Sequence, residues 1–340
     1  MINLRLHITA LAAGLALWSA AQDGSAAYNF LNVTPSAHVY GLGGANVSVV
    51  DDDINMVEQN PAMLGFENNK QIGLNYMRYL GGSNFVGARY GHSTNDISAW
   101  AVGLQYYGYG SMQGYDFNGT ETGTFNANDM AMSVTYSHDI NHYFRGGITA
   151  KYIYSKYADY TAGAVGVDLG VSYYNPTYEF SASLVARNLG GQIKKFANER
   201  DKLPFDVVIG ATKLIKGTPF RVSITAHYLN KWYLPYYEPS DKNNAESALK
   251  KKNGFGSNLM RHLVFAAEYL PNNNMYIGIG YNYKTRTDMS TYQRNLLSGF
   301  SVGAGIKVKA FGFGVALAQP HTGATTFMLN VTTTLNELMR

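Results

Sequence analysis

The period of the chain constrains its fold more than any other feature. From Lys70 onward, apolar residues return at every second position, in segments of about ten residues. Val222, Ile224, Ala226 and Tyr228 alternate with Arg221, Ser223, Thr225 and His227. Val165, Val167, Leu169, Val171 and Tyr173 alternate with Gly166, Asp168, Gly170 and Ser172. Ile277, Ile279, Tyr281 and Tyr283 alternate with Gly278, Gly280, Asn282 and Lys284. A period of two sends successive side chains to opposite faces of a strand. Segments of about ten residues suit tilted strands that cross a membrane, whereas ordinary strands average about 5–6 residues.

The two faces identify the solvent on each side. The second face carries glycine, serine, threonine and isolated charges of both signs: Arg89, Lys151, Asp168, Arg187, His262, Glu268 and Lys284. Charged residues are 15% of the 340, aromatic residues 14% and hydrophobic residues 46%, with a mean hydropathy of -0.17. A soluble chain has about 25% charged residues, so too little charge is present to coat a water-facing surface. A continuous apolar face ending in tyrosine and phenylalanine, opposite a small polar face, is the pattern of lipid-facing strands around a polar lumen. The expected fold is therefore all-β: a transmembrane antiparallel β-barrel of about fourteen strands with an N-terminal plug segment.

The strands are expected at 71–80, 83–92, 97–109, 122–137, 143–156, 161–173, 178–188, 204–213, 219–229, 261–269, 275–284, 297–307, 311–318 and 324–335. Their connections alternate in length. One set, including His92–Asn95, His138–His142 and Pro271–Asn274, is short; the other, including Gly110–Glu121, Leu189–Lys202, Asn230–Met260 and Thr285–Asn295, is mostly long. Short periplasmic turns and long outer loops are usual in such barrels. Inward positions such as Gly103, Gly147, Gly170, Gly210, Gly280, Gly303 and Gly314 are small. A barrel this wide is not filled by side chains alone, so either water or a segment of the chain occupies it.

Ahead of the strands, residues 1–21 read as a signal peptide. Arg5 and His7 precede an apolar run from Ile8 to Trp18, and Ser19-Ala20-Ala21 offers a cleavage site before Gln22. Residues 22–69 are expected to form a periplasmic or plug segment and residues 70–340 the barrel. Within the former, residues 36–66 are rich in glycine, contain the acidic run Asp51-Asp52-Asp53, and lack strand alternation. The acidic run reads as a solvated turn, because consecutive carboxylates do not converge on one cation.

The chemistry of catalysis is not apparent. The chain has no cysteine, which excludes disulfides, thiolate metal sites and cysteine nucleophiles. Gly41-x-Gly43-x-x-Asn46 fails the dinucleotide fingerprint at its third glycine. His138 and His142 flank a turn with no further ligands. Twenty-seven basic and 23 acidic residues give a net charge of +4, too weak and too scattered for nucleic acid. The expectation is a protein that is no enzyme, with no catalytic, cofactor-binding or metal-binding residue and no cofactor.

Gly41-Leu42-Gly43-Gly44-Ala45, an acidic stretch and then Asn60-Pro61-Ala62 before the first strand resemble the N-terminal signature of the FadL-like barrel superfamily. The plug motif is therefore Gly41, Gly43, Gly44, Asn60, Pro61 and Ala62. The resemblance implies a fourteen-stranded outer-membrane barrel whose N-terminal residues plug the lumen. Within that superfamily, the length and the sequence around Ser36–Leu64 resemble PorQ-like barrels, related to PorV, of the type IX secretion system of Bacteroidota. The ending Leu338-Met339-Arg340 departs from the terminal aromatic of proteobacterial barrels.

The resemblance implies a non-enzymatic anchor in outer-membrane lipid. It would hold a surface protein resembling PorZ, within a complex with PorU-like and PorV-like proteins, that processes C-terminal cargo signals and links cargo to anionic lipopolysaccharide. The residues offer a matching feature. Tyr228, Trp232, Tyr233, Tyr236 and Tyr237 cluster where one strand leaves the membrane, stiffened by Pro235 and Pro239. Tyr228 and Trp232 fit either the outer girdle or the loop; Trp232, Tyr233, Tyr236 and Tyr237 form the candidate partner-facing loop. Lys250-Lys251-Lys252 could meet lipopolysaccharide phosphates. The alternative is a FadL-type channel for uptake of hydrophobic small molecules, which needs an apolar pocket in the lumen. Arg89, Lys151, Asp168, Arg187 and Glu268 are the candidate lumen charges, available to pair and to lock the plug.

Overall fold

A computed structural model describes residues 28–116, 118–196, 200–239, 249–288, 297–321 and 324–338. The expected signal peptide and its cleavage site lie outside these residues. Sixteen strands are present among them: β1 Gln71–Arg78, β2 Asn84–Asn95, β3 Ser98–Tyr115, β4 Glu121–Asp139, β5 Phe144–Tyr157, β6 Tyr160–Asn175, β7 Phe180–Lys194, β8 Asp206–Leu214, β9 Phe220–Ala226, β10 Tyr236–Pro239, β11 Leu249–Lys252, β12 Leu263–Asn272, β13 Met275–Asn282, β14 Phe300–Val308, β15 Phe311–His321 and β16 Ala324–Thr334. Fourteen of them close an antiparallel barrel, and β10 and β11 form a separate hairpin in the loop between β9 and β12. Closure runs through β1 and β16, with Gln71 opposite Thr334 and Arg78 opposite Phe327.

The period-two pattern fixes this architecture. Leu74, Tyr76, Val102, Leu104, Val134, Ile148, Val165, Leu169 and Ile279 are exposed on the outside. Their strand neighbours Asn75, Gln105, Thr135, Thr149 and Asp168 are buried inside. An outer surface of this extent and apolarity is stable only in lipid. Exposed Tyr136, Phe144, Tyr174, Phe220 and Tyr269 ring the end with short turns, and Tyr76, Tyr106 and Phe327 sit towards the other. The protein is an outer-membrane barrel of the bacterial type.

Three elements differ from the sequence expectation. First, β3 and β4 extend to 18 and 19 residues, continuing through what read as a long loop after Gly110. Both faces of Ser111–Tyr115 meet water above the membrane, so no alternation marks them. Second, residues 255–262 and 283–288 are helices, α2 (Phe255–His262) and α3 (Tyr283–Asp288), which take in the expected strand ends 261–262 and 283–284 with parts of the adjoining loops. His262 and Lys284 therefore belong to helices and not to the strand-borne lumen face. Third, the lumen is not polar throughout: Met77, Phe85, Tyr107, Ile153 and Met328 point inward near its outer end and are buried.

Residues 28–69 fill the lumen. The segment is built of short turns and one short helix: 3₁₀ turns at Asn29–Asn32, Ile54–Glu58, Pro61–Met63 and Phe66–Asn68, and α1 at Ala37–Gly41. Ser36 caps α1 by accepting from the Val39 amide, and Asp53 caps the next turn by accepting from Asn55. The segment circles the wall. Asn330 holds the Ala37 amide at 2.8 Å, Ser223 and Thr212 meet Asn46 and Ser48 at 2.8 Å, and Gln71 meets the Ile54 amide at 3.0 Å.

Candidate functional site

The plug motif lies where backbone meets backbone. A Cβ on Gly41 would stand 2.6 Å from the Cα of Gly303, and one on Gly280 would stand 2.1 Å from the Gly43 nitrogen. Only glycine permits that approach. Gly43 and Gly44 adopt φ of 94° and 81°, the left-handed region that turns the chain away from the wall. The Gly43 amide donates to Ser301 Oγ and Ser301 Oγ donates to the Gly41 carbonyl, both at 2.9 Å. Across the lumen, Asn60 Oδ1 accepts from the Ala62 amide, and Asn60 Nδ2 donates to Val47 O and Ser172 Oγ, each at 2.9 Å. Pro61 begins that turn, where no amide proton is needed. It rests against Gly147, whose Cβ would lie 2.4 Å from the Pro61 carbonyl carbon.

Charge locks the same segment at three places. At mid-lumen, Glu58 of the plug pairs with Arg89 and with Lys151 Nζ at 2.9 Å, and Lys151 pairs with Asp168 at 2.7 Å. All four are buried, and their formal charges cancel. Burial opposes ionisation of Glu58, but Lys151 and Arg89 hold its carboxyl below the usual range. Beside this group, Arg187 reaches plug Gln59 at 2.7 Å and Asp206 at 3.0 Å. Nearer the periplasmic mouth, His38 of α1 bonds Glu268 through Nε2 at 2.5 Å and Asp51 through Nδ1 at 2.8 Å. Arg221 clasps Glu268 through two nitrogens at 2.7 and 2.8 Å. Burial opposes a charged His38 ring, but Glu268 and Asp51 outweigh it and push the group up to about 9. Burial likewise opposes ionisation of Asp51, yet its bond to His38 and the nearby Arg221 bring it down to about 2. At the mouth itself, Lys307 meets Asp52 at 3.0 Å and Arg145 meets Glu67 at 2.7 Å.

Arg89, Lys151, Asp168, Arg187 and Glu268 thus all face the lumen, and all five belong to the plug contacts or to their immediate supports. The reading of Asp51-Asp52-Asp53 as a solvated turn is corrected in part: Asp51 holds His38 and Asp53 accepts from Ser36 at 2.9 Å, both half-buried, while Asp52 is exposed and pairs with Lys307. Sequence reasoning also passed over Glu58, His38, Gln59 and Arg221. Lone polar residues in an irregular segment announce no partner until the fold supplies one.

Above the mid-lumen charges the filling is apolar. Tyr28, Phe30 and Leu31 of the plug pack with Met77, Phe85, Tyr107, Ile153 and Met328. Asp129 sits at the edge of this cluster and accepts from Tyr109, Tyr157 and Ser155.

The loop beyond β9 presents an aromatic face. Tyr233, Tyr237 and Phe255 are 65%, 57% and 70% exposed. Trp232 lies 5.4 Å from Phe255 and stacks on His262 at 5.3 Å. His262 is buried, with Nδ1 at 2.7 Å from the His227 carbonyl and Nε2 at 3.1 Å from that of Trp232, which fixes the loop to α2. Tyr236 departs from the expectation of a partner-facing residue. Its ring is 7% exposed and lies under the Arg261 guanidinium at 4.8 Å, because β10 alternates and sends Tyr236 and Tyr237 to opposite faces. Tyr228 also turns inward, beneath the Lys284 ammonium at 4.9 Å, and so is not part of the outer girdle. Lys251 and Lys252 are exposed on β11.

No protein-family model and no characterised protein matches the sequence. Solved structures do match the fold. The crystal structure of the Pseudomonas putida toluene transporter TodX is similar over 88% of this chain and 97% of its own, at 10% identity and a TM-score of 0.50. A Pseudomonas aeruginosa FadL homologue covers 89% and 98% at 10% identity and a TM-score of 0.49. The CymD monoaromatic hydrocarbon channel covers 90% and 97% at 11% identity and a TM-score of 0.47. At such identities the likeness to TodX is one of fold: the chain is a bacterial outer-membrane β-barrel with the architecture of that transporter.

Proposed function

We propose that the barrel is a non-enzymatic outer-membrane anchor that holds a surface protein resembling PorZ, as in the type IX secretion attachment complex with PorU-like and PorV-like proteins. One observation carries this reading: exposed Trp232, Tyr233, Tyr237 and Phe255, with Trp232 packed on Phe255 and His262 of α2, stand outside a lumen locked by buried ion pairs. Rigid exposed aromatics are the residues that anchor protein interfaces, while a lumen sealed by matched charges favours a fixed scaffold. Exposed Lys251 and Lys252 beside that face suit contact with lipopolysaccharide phosphates.

Gentle detergent extraction of the full-length barrel should retain a large surface protein. The double variant Tyr233→Ala with Tyr237→Ala should weaken that retention at least tenfold, since each central aromatic of an interface is worth about 2 kcal/mol or more. The barrel should keep its heat-resistant gel mobility. Unchanged retention removes this face from the interface.

A second reading, a FadL-type channel for hydrophobic small molecules, draws on the apolar outer lumen around Phe85, Tyr107 and Ile153 and on the fold shared with a toluene transporter. If no partner is retained and deletion of the gene slows hydrocarbon or fatty-acid entry, this reading replaces the first.

A further inference from the structure

The hairpin of β3 and β4 rises past its neighbours. β2 pairs with β3 only as far as Asn84 opposite Gly108, and β5 with β4 only as far as Tyr157 opposite Ala127. Above those points β3 and β4 pair with each other alone among the described residues, from Ser111 opposite Asn126 to Tyr115 opposite Glu121. A two-stranded ribbon in water is marginal, and a third strand is what stabilises such a unit. The tip itself is well held. The Asp116 amide donates to the Thr120 carbonyl at 2.9 Å, and the Asp116 carboxylate accepts from the amides of Asn118 and Thr120 at 2.8 and 2.9 Å.

Two bonds fix which main-chain groups are free. The Asn126 carbonyl accepts from the Ala158 amide, on the β5 side, so Asn126 faces away from β3. Directly opposed residues of an antiparallel pair either bond each other or both face away, so Ser111 also turns its amide and carbonyl away from β4. At the tip, the Asp116 amide points across to Thr120. Alternation between these points sends Ser111, Gln113 and Tyr115 to the open edge, and Met112 and Gly114 to the ladder with β4. Proteins that must keep such an edge unpaired blunt it with lysine, proline or a bulge. Ser111–Tyr115 carries no charge and no proline. The bulge in β3, with Gly110 at φ 81°, lies below this stretch, and the register from Ser111 to Gly114 is unbroken. The edge is therefore a template for a further strand.

The position of the edge selects the occupant. An added strand lies about 4.8 Å to the side of β3, above the outer end of β2 and the short turn Leu80–Gly82. A second copy of the barrel would have to set its own wall where β2 already stands, because its ribbon rises from that wall. A strand of a protein outside the membrane meets no such obstacle. The two faces of the ribbon set the pattern of that strand. Met112 shares one face with Phe125, while Ser111 and Gln113 share the other with Asn126 and Thr124. The matching strand alternates apolar residues over the first face with uncharged polar residues over the second. We propose that the β3 edge Ser111–Tyr115 takes up an extended segment of the surface partner as an added β-strand, bonded through the main chain of Ser111, Gln113 and Tyr115. This rests on the anchor reading and gives it a second point of attachment, since β3 and β4 lie across the barrel from β9 and β12, which carry the aromatic loop.

The test separates main chain from side chain. Gln113→Pro removes the central amide of the open edge without touching the ladder to β4, whereas Gln113→Ala removes the side chain and keeps the amide. After gentle detergent extraction of the full-length barrel, retention of the surface protein should fall about tenfold or more in Gln113→Pro and stay within about twofold in Gln113→Ala. Amide hydrogen exchange, which needs no variant, should slow about tenfold or more at Ser111, Gln113 and Tyr115 in the complex relative to the isolated barrel. Equal loss in both variants makes the contact one of side chains and overturns strand addition. Unchanged retention in Gln113→Pro with unchanged exchange also overturns it, while loss in Tyr233→Ala with Tyr237→Ala leaves the anchor reading standing. A retained protein that proves to be another copy of the barrel overturns the occupant. An unaltered barrel that retains no protein overturns both readings.

Discussion

From the periplasmic mouth to mid-lumen, the plug adds charge and bare backbone to its apolar contacts with the wall, such as Ile54 and Leu64 with Ala99 and Ala101: Glu58 between Arg89 and Lys151, His38 between Glu268 and Asp51, Gly41 against Gly303. Above that level the same segment meets the wall through Tyr28, Phe30 and Leu31, set among Met77, Phe85 and Ile153. The difference teaches what each half contributes. Ion pairs and close backbone contacts are directional, so they select one position for the segment and penalise every other. Apolar packing is nearly indifferent to direction, so the outer cluster excludes water and adheres without specifying register.

Breaking the charged half should have the largest effect. In Glu58→Gln, Arg89 loses its plug carboxylate and Lys151 keeps Asp168 as its one carboxylate, with Asn188 beside it. Removing one partner of a buried pair costs about 3–5 kcal/mol, and the expected result is a plug that no longer docks. Small-solute flux through reconstituted barrels and protease cleavage within residues 28–69 should both rise. If both stay at the level of the unaltered protein, the charges are not what holds the segment.

Alkali should act on the same half less strongly. His38 binds its proton more tightly in the docked plug than in solution, so its contribution is complete below about pH 6.5 and is lost as pH rises through about 9. Asp51 works in the opposite sense: its contribution is present above about pH 4 and lost only as pH falls towards about 2. Between pH 7 and pH 10, docking should weaken by up to about 3 kcal/mol, read as a rise in flux that is absent in His38→Gln. A flux that is flat across this range, or a rise that persists in the variant, assigns the lock to other groups.

The outer half should tolerate change. Leu31→Met conserves volume and should cost less than about 1.5 kcal/mol, with flux unchanged and a melting temperature within a few degrees. If it opens the pore as far as Glu58→Gln does, the outer cluster specifies position after all and the comparison fails.

The two halves also differed in how legible they were. Strands with lipid on one face and small residues on the other, such as 165–173 and 277–282, declare themselves by period alone, and the inward charges Arg89, Lys151, Asp168, Arg187 and Glu268 follow from the same parity. The plug partners did not, because Glu58 meets Arg89 and Lys151 from far along the chain and no local pattern joins them. The apolar outer lumen was hidden for another reason. Where Met77 and Phe85 face inward and Tyr76 and Val86 face outward, both faces are apolar, and alternation carries no contrast. Tyr236 was misjudged because an aromatic cluster does not state which ring will lie under Arg261.

The plug joins the barrel directly: its last turn, Phe66–Asn68, passes through Lys70 into the first residue of β1, Gln71. It is in effect an intramolecular ligand on a tether of two residues. A ligand so tethered has an effective concentration on the order of millimolar or above, set by chain geometry and unaffected by dilution. Any agent that opens the pore therefore competes with a binder that never diffuses away. Removing that agent should restore closure at a rate independent of protein concentration.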